Sequence, residues 1–156
     1  MSDNRSWIHD GIQQKRKKLV LDALEESNRI KSRATFDVNI DRFYRFVTTE
    51  CQAAIEIFNA EQQSASEKIQ CYLEPRGAFV ARRPSYPSGQ LRLEVDRQAE
   101  RAICKYEYAT HEGSGLFKTE TVFSIRACDD HLSLFNGEHR EPDPARAILG
   151  TFFTWL

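Results

Sequence analysis

The most constraining feature of this 156-residue chain is a change of period. Up to about Glu67 the apolar residues recur at helical spacing; beyond Lys68 they alternate as in strands. A helix needs one apolar stripe and a half-buried strand one apolar face, so the switch predicts an α+β protein. The expected order is a helical segment over residues 1–67, an antiparallel sheet over 68–141 and a closing helix over 142–156, all in one domain.

In the first segment Ile8, Ile12, Leu19, Ala23 and Ile30 step by four or seven, and Val20 and Leu24 widen the stripe. This predicts a helix from Ser6 to Ser32, with Ser6 or Asp10 as its cap. Between Ala34 and Ile40 the pattern changes, because Phe36, Val38 and Ile40 alternate with polar residues. That reads as a connector. A second helix follows from about Asp41 to Ala65, with Phe43, Val47 and Ala54 on one face. Two long helices joined this way are expected to fold back as a hairpin. Charge favours the same pairing: residues 1–33 carry eight basic and five acidic side chains, whereas residues 34–68 carry three and six.

The second half is punctuated by turns. Pro75-Arg76-Gly77, the loop from Pro84 to Gly89, His111 to Gly115, Asp129-Asp130 and Asn136-Gly137 separate six or seven strands of a meander. Leu91, Leu93 and Val95 fall on one face, with Arg92, Glu94 and Asp96 on the other. The same division holds for Ala102–Tyr108 and Leu116–Cys128, so the sheet has one apolar and one wet side. In Pro142-Asp143-Pro144, Asp143 suits the N-cap of a final helix and Pro144 its first position. Ile148, Leu149, Phe152 and Phe153 must then pack on the apolar side of the sheet. At the level of element order alone this resembles helix-grip and pleckstrin-like domains, which curl an antiparallel sheet around a C-terminal helix. No residue motif accompanies the resemblance, and it assigns no role to any side chain.

Composition excludes several functions. The net charge of −1 excludes a strongly basic nucleic-acid protein. The longest apolar runs are too short to cross a bilayer. The first residues, MSDNRSWIHDGIQQKRKK, lack a signal-peptide core, so the expected location is cytoplasmic. Cys51, Cys71, Cys104 and Cys128 form no CxxC and are expected to be reduced, mostly buried thiols. No phosphate loop, GxSxG, HxH or HExxH occurs, and no cofactor is implied.

Three weaker constellations remain. Asp129, His131 and His139 surround two turns and would bind a metal if they converged, and Cys128 lies close to His131 in sequence. Lys15, Arg16, Lys17 and Lys18 form a basic run capable of gripping phosphates, although four successive helical residues spread over all sides. Tyr72, Tyr106, Tyr108, Phe117 and Phe123 are expected beside any space for an apolar small molecule between sheet and helices. The reading that results is a non-enzymatic binding or interaction domain, meeting a second copy or another protein through its N-terminal helices. The alternatives are a small enzyme with a pocket near Asp129 and His131, and nucleic-acid binding through Lys15–Lys18.

Overall fold

The computed structural model describes residues 5–156. A single helix, α1, runs from Ser6 to Ala60, and one 3-10 turn, Ala65–Glu67, leads into the sheet. Seven strands follow: β1 (Gln70–Leu73), β2 (Phe79–Arg83), β3 (Ser88–Asp96), β4 (Arg101–Ala109), β5 (Phe117–Cys128), β6 (His131–Asn136) and β7 (His139–Glu141). The last helix, α2, spans Pro144–Trp155. The strands pair antiparallel in chain order, β1 to β7. The α+β class and the meander are therefore as the sequence predicts.

The helical hairpin is not. The segment from Ala34 to Ile40, expected to be a connector, is continuous helix. The reason lies in an ambiguity of spacing. Phe36 and Ile40 are two strand repeats apart, but they are also four residues apart, which is one helical turn. Both are buried to 1% exposure, while Val38 between them stays in solvent. Val47, Cys51 and Ile55 continue the same buried face at steps of seven, four and four. Between Gly11 and Pro75 the chain contains neither glycine nor proline, so nothing in it breaks a helix. Ser6 is the first helical residue and not the cap; Arg5 stands in that place and no side chain caps the start.

Only the second part of α1 belongs to the body of the molecule. It packs on α2 and on β5 and β6. Several polar ties help to hold it, among them a pair between Arg33 and Glu100 at 3.4 Å. Arg33 donates to the Arg97 carbonyl at 2.7 Å, Arg97 pairs with Asp41, and the Tyr44 hydroxyl donates to the Gly77 carbonyl at 2.5 Å. At the far end Asn59 closes two hydrogen bonds with the backbone of Ile69, at 2.7 and 2.9 Å, fixing the chain's entry into β1.

The core lies between the sheet and the helices. Phe79, Leu91, Leu93, Cys104, Phe123, Ile125 and Leu134 line the inner face and meet Ile148, Leu149 and Phe152 of α2. Asp143 caps α2 by accepting from the Arg146 amide at 3.1 Å, with Pro144 at the first position. Close approach requires Gly89 in β3, where an added Cβ would lie 2.9 Å from the Phe152 ring. The outer face carries the charges, including the Arg92 pairs with Glu74 and Glu94 and the Lys118–Glu107 pair.

Candidate functional site

The first half of α1 projects away from the body. Every residue from Arg5 to Ser32 is exposed, and Arg33 is hydrogen-bonded to the turn between β3 and β4. At 1.5 Å per residue, Ser6–Ser32 makes an arm of roughly 40 Å. The stripe expected to face a partner helix is present on it but uncovered. Leu19, Val20, Leu24 and Ile30 of this stripe each keep more than half of their surface in solvent, as do Trp7 and Leu21 on the opposite side of the helix. Single exposed apolar residues are ordinary; here several lie along one projecting helix that the body leaves uncovered. Pairs one turn apart reinforce the helix, namely Glu26–Arg29 at 2.7 Å and Arg33–Asp37 at 3.2 Å. The hydrogen bond from Arg29 holds the Glu26 carboxyl below its ordinary range.

Lys15, Arg16, Lys17 and Lys18 lie in the middle of this arm, all exposed and at successive helical steps of about 100°. They surround the helix and form no groove. The acidic residues Asp22, Glu25 and Glu26 follow within three turns on the same uncovered segment.

The predicted aromatic set is divided by the structure. Tyr106, Tyr108, Phe117 and Phe123 lie near α2, whose own aromatics fill the space over them. Trp155 stacks on Tyr108 with centroids 4.3 Å apart and meets Tyr106 and Phe117 edge-on at 5.7 and 6.4 Å. Tyr106 is pinned by its hydroxyl, which donates to the Ile148 carbonyl at 2.7 Å. A recess of about 270 Å³ remains beside Tyr106, Phe123 and Trp155, but Thr119, Thr121, Asn136, Glu141 and Thr151 complete its wall. Tyr72 stands apart on the edge strand β1, half in solvent.

A larger groove, about 680 Å³, lies between α1 and the β1–β3 side of the sheet. Its lining includes Ile40, Tyr44 and Val95 together with Arg45, Arg76, Arg92 and Arg97. Two of these arginines are neutralised in place, Arg92 by Glu74 and Glu94, and Arg97 by Asp41. The sequence pattern gave no sign of this groove, because it arises where α1 crosses the sheet and its lining residues are distant in the chain.

Cys128 and His131 are register partners across the Asp129-Asp130 turn. Asp129 adopts the left-handed conformation (φ 57°), and His131 Nδ1 lies 3.6 Å from Asp130. His139 pairs with Asn136 at the opposite end of β6. Five residues of strand therefore separate the two histidines, roughly 16 Å at strand rise. Among the described residues, no three His, Cys, Asp or Glu side chains are grouped so as to hold a metal ion. The thiols of Cys51 and Cys104 are buried, and burial pushes each up to about 12, away from nucleophilic use. All four cysteines are free.

Among the described residues, no helix is long and apolar enough to cross a membrane. No family model, no curated protein and no solved structure matches the chain.

Proposed function

We propose that the protein is a non-enzymatic interaction module: a sheet-and-helix body that carries a rigid helical arm by which it docks another protein chain. One observation carries the reading. Along the roughly 40 Å arm large apolar side chains recur on one side, at Ile8, Ile12, Leu19, Val20, Leu24 and Ile30, interrupted by the basic run, and no described residue of the body covers them. Helices in water draw most of their stability from packing an apolar face, so an arm of this composition is completed by a partner. The polar ties of Arg33, Arg97 and Asp41 at its root fix its direction, which suits presentation of a surface.

The test uses the tagged full chain and its Ile12→Ser/Leu19→Ser/Ile30→Ser form, isolated gently from the cells that make them. The reading expects a stoichiometric companion with the first, either another copy or a different protein, and its loss from the second while the body stays folded by near-UV circular dichroism. A companion retained by both forms, or absent from both, overturns it.

A further inference from the structure

We infer that the arm's partner is a second copy of this chain, paired antiparallel about a two-fold axis at the level of Leu21. The inference rests on the interaction reading above and names its occupant. The exposed face of the arm is traced by Ile8, Ile12, Arg16 and Leu19, then by Ala23, Glu26, Ile30 and Ala34, all uncovered. Successive steps along it are 4, 4, 3, 4, 3, 4 and 4 residues, which read identically from either end.

A two-fold interface demands this property. If residue i of one copy meets residue j of the other, then j must also meet i. With the axis at Leu21, Ile12 comes opposite Ile30, Leu19 opposite Ala23, and Ile8 opposite Ala34. The only polar pair in the stripe is Arg16 opposite Glu26, which are of opposite sign. Each contact occurs twice. Beside the Arg16–Glu26 pair, Lys17 comes opposite Glu25, again of opposite sign, while Lys15 and Lys18 come opposite Ser27 and Leu24. A parallel pair would instead set four basic residues against the same four. The antiparallel arrangement is selected by charge as well as by apolar spacing. The paired stretch, from Ile8 to Ala34, is roughly 39 Å long and ends where each body begins at Arg33–Phe36.

Charge reversal on the full chain tests the pairing by sedimentation velocity over a concentration series. One variant is Arg16→Glu/Lys17→Glu, the other Glu25→Lys/Glu26→Lys, with far-UV circular dichroism to confirm that the arm stays helical in each. The unsubstituted chain is expected to reach the dimer mass. Each variant alone sets like charges at both ends of the pair and is expected to self-associate at least about tenfold more weakly. Mixed in equal amounts, the variants oppose glutamates with basic residues at both ends, so the heterodimer forms where neither homodimer does. A dimer insensitive to both reversals, or weakened by them without rescue on mixing, overturns the antiparallel pairing. A chain that stays monomeric overturns self-pairing altogether. If that monomer still binds a different protein through Ile12, Leu19 and Ile30, the interaction reading stands without this inference; if nothing depends on those residues, both fail.

Discussion

The Tyr106 hydroxyl donates to the Ile148 carbonyl at 2.7 Å, joining the middle of β4 to the first turns of α2 inside the core. Tyrosine serves here because the ring fills apolar space while its polar end reaches a carbonyl that already belongs to a helix. Tyr106→Phe keeps the ring and the packing with Trp155 and removes one bond. Its expected cost is about 1 kcal/mol, read as a lowered urea midpoint with an unchanged slope.

Gly89 and Gly150 respond oppositely to the same substitution. At Gly89 the added methyl meets Phe152 at 2.9 Å and Leu156 at 3.0 Å, so α2 must shift; Gly89→Ala is expected to destabilise by about 1–3 kcal/mol. At Gly150, inside α2, the nearest atom stands 4.0 Å away, and Gly150→Ala is expected to stabilise by roughly 0.5–1 kcal/mol. Thermal melts of the two variants check both signs.

Burial pushes the Cys51 and Cys104 thiols up to about 12 from an ordinary 9. In the unfolded chain they ionise first, so above pH 9 the unfolded state binds fewer protons and gains relative to the native one. Their contribution to stability is therefore complete below pH 9 and is lost as pH climbs toward 12, by up to about 1.4 kcal/mol per thiol per pH unit. Burial raises the Tyr106 phenol as well, which extends the decline above pH 10. Urea midpoints measured across pH 7 to 11 are expected to fall in this window. The Cys51→Ala/Cys104→Ala protein, less stable at pH 7, is expected to show a shallower decline.

Asn59 holds both the amide and the carbonyl of Ile69. Asn59→Ala leaves two backbone groups without partners at the junction of α1 and β1, with an expected loss of about 1–3 kcal/mol. Amide exchange at Ile69 is expected to accelerate more than exchange in β4, which locates the effect.

The sheet was legible because alternation and turn chemistry agreed at every step. Leu91-Arg92-Leu93-Glu94-Val95 has a clear period of two, and Asp143-Pro144 marks a helix start by its own hydrogen bonding. The continuity of α1 was harder to read, since Phe36, Val38 and Ile40 satisfy a strand period and a helical turn at once. The missing glycines and prolines were the better signal. Periodicity also shows which face is apolar without showing what covers it. The same kind of stripe is buried at Val47, Cys51 and Ile55 but open at Ile12, Leu19 and Ile30. For the same reason the aromatic face of β4 was evident in the sequence, whereas Trp155 filling the space over Tyr108 was not.

An interaction arm requires α1 to be one helix whose first half stands clear of the body. Pulsed spin-label measurement between positions Gln14 and Glu56, with Cys71 and Cys128 changed to serine and labelled chain diluted in unlabelled, tests this directly. Both sites are exposed and 42 residues apart, so a continuous helix places the backbones roughly 63 Å from each other. A separation near that value is the expected result. A distance under about 20 Å would mean that the arm folds back as a hairpin, with its apolar stripe covered by the chain itself.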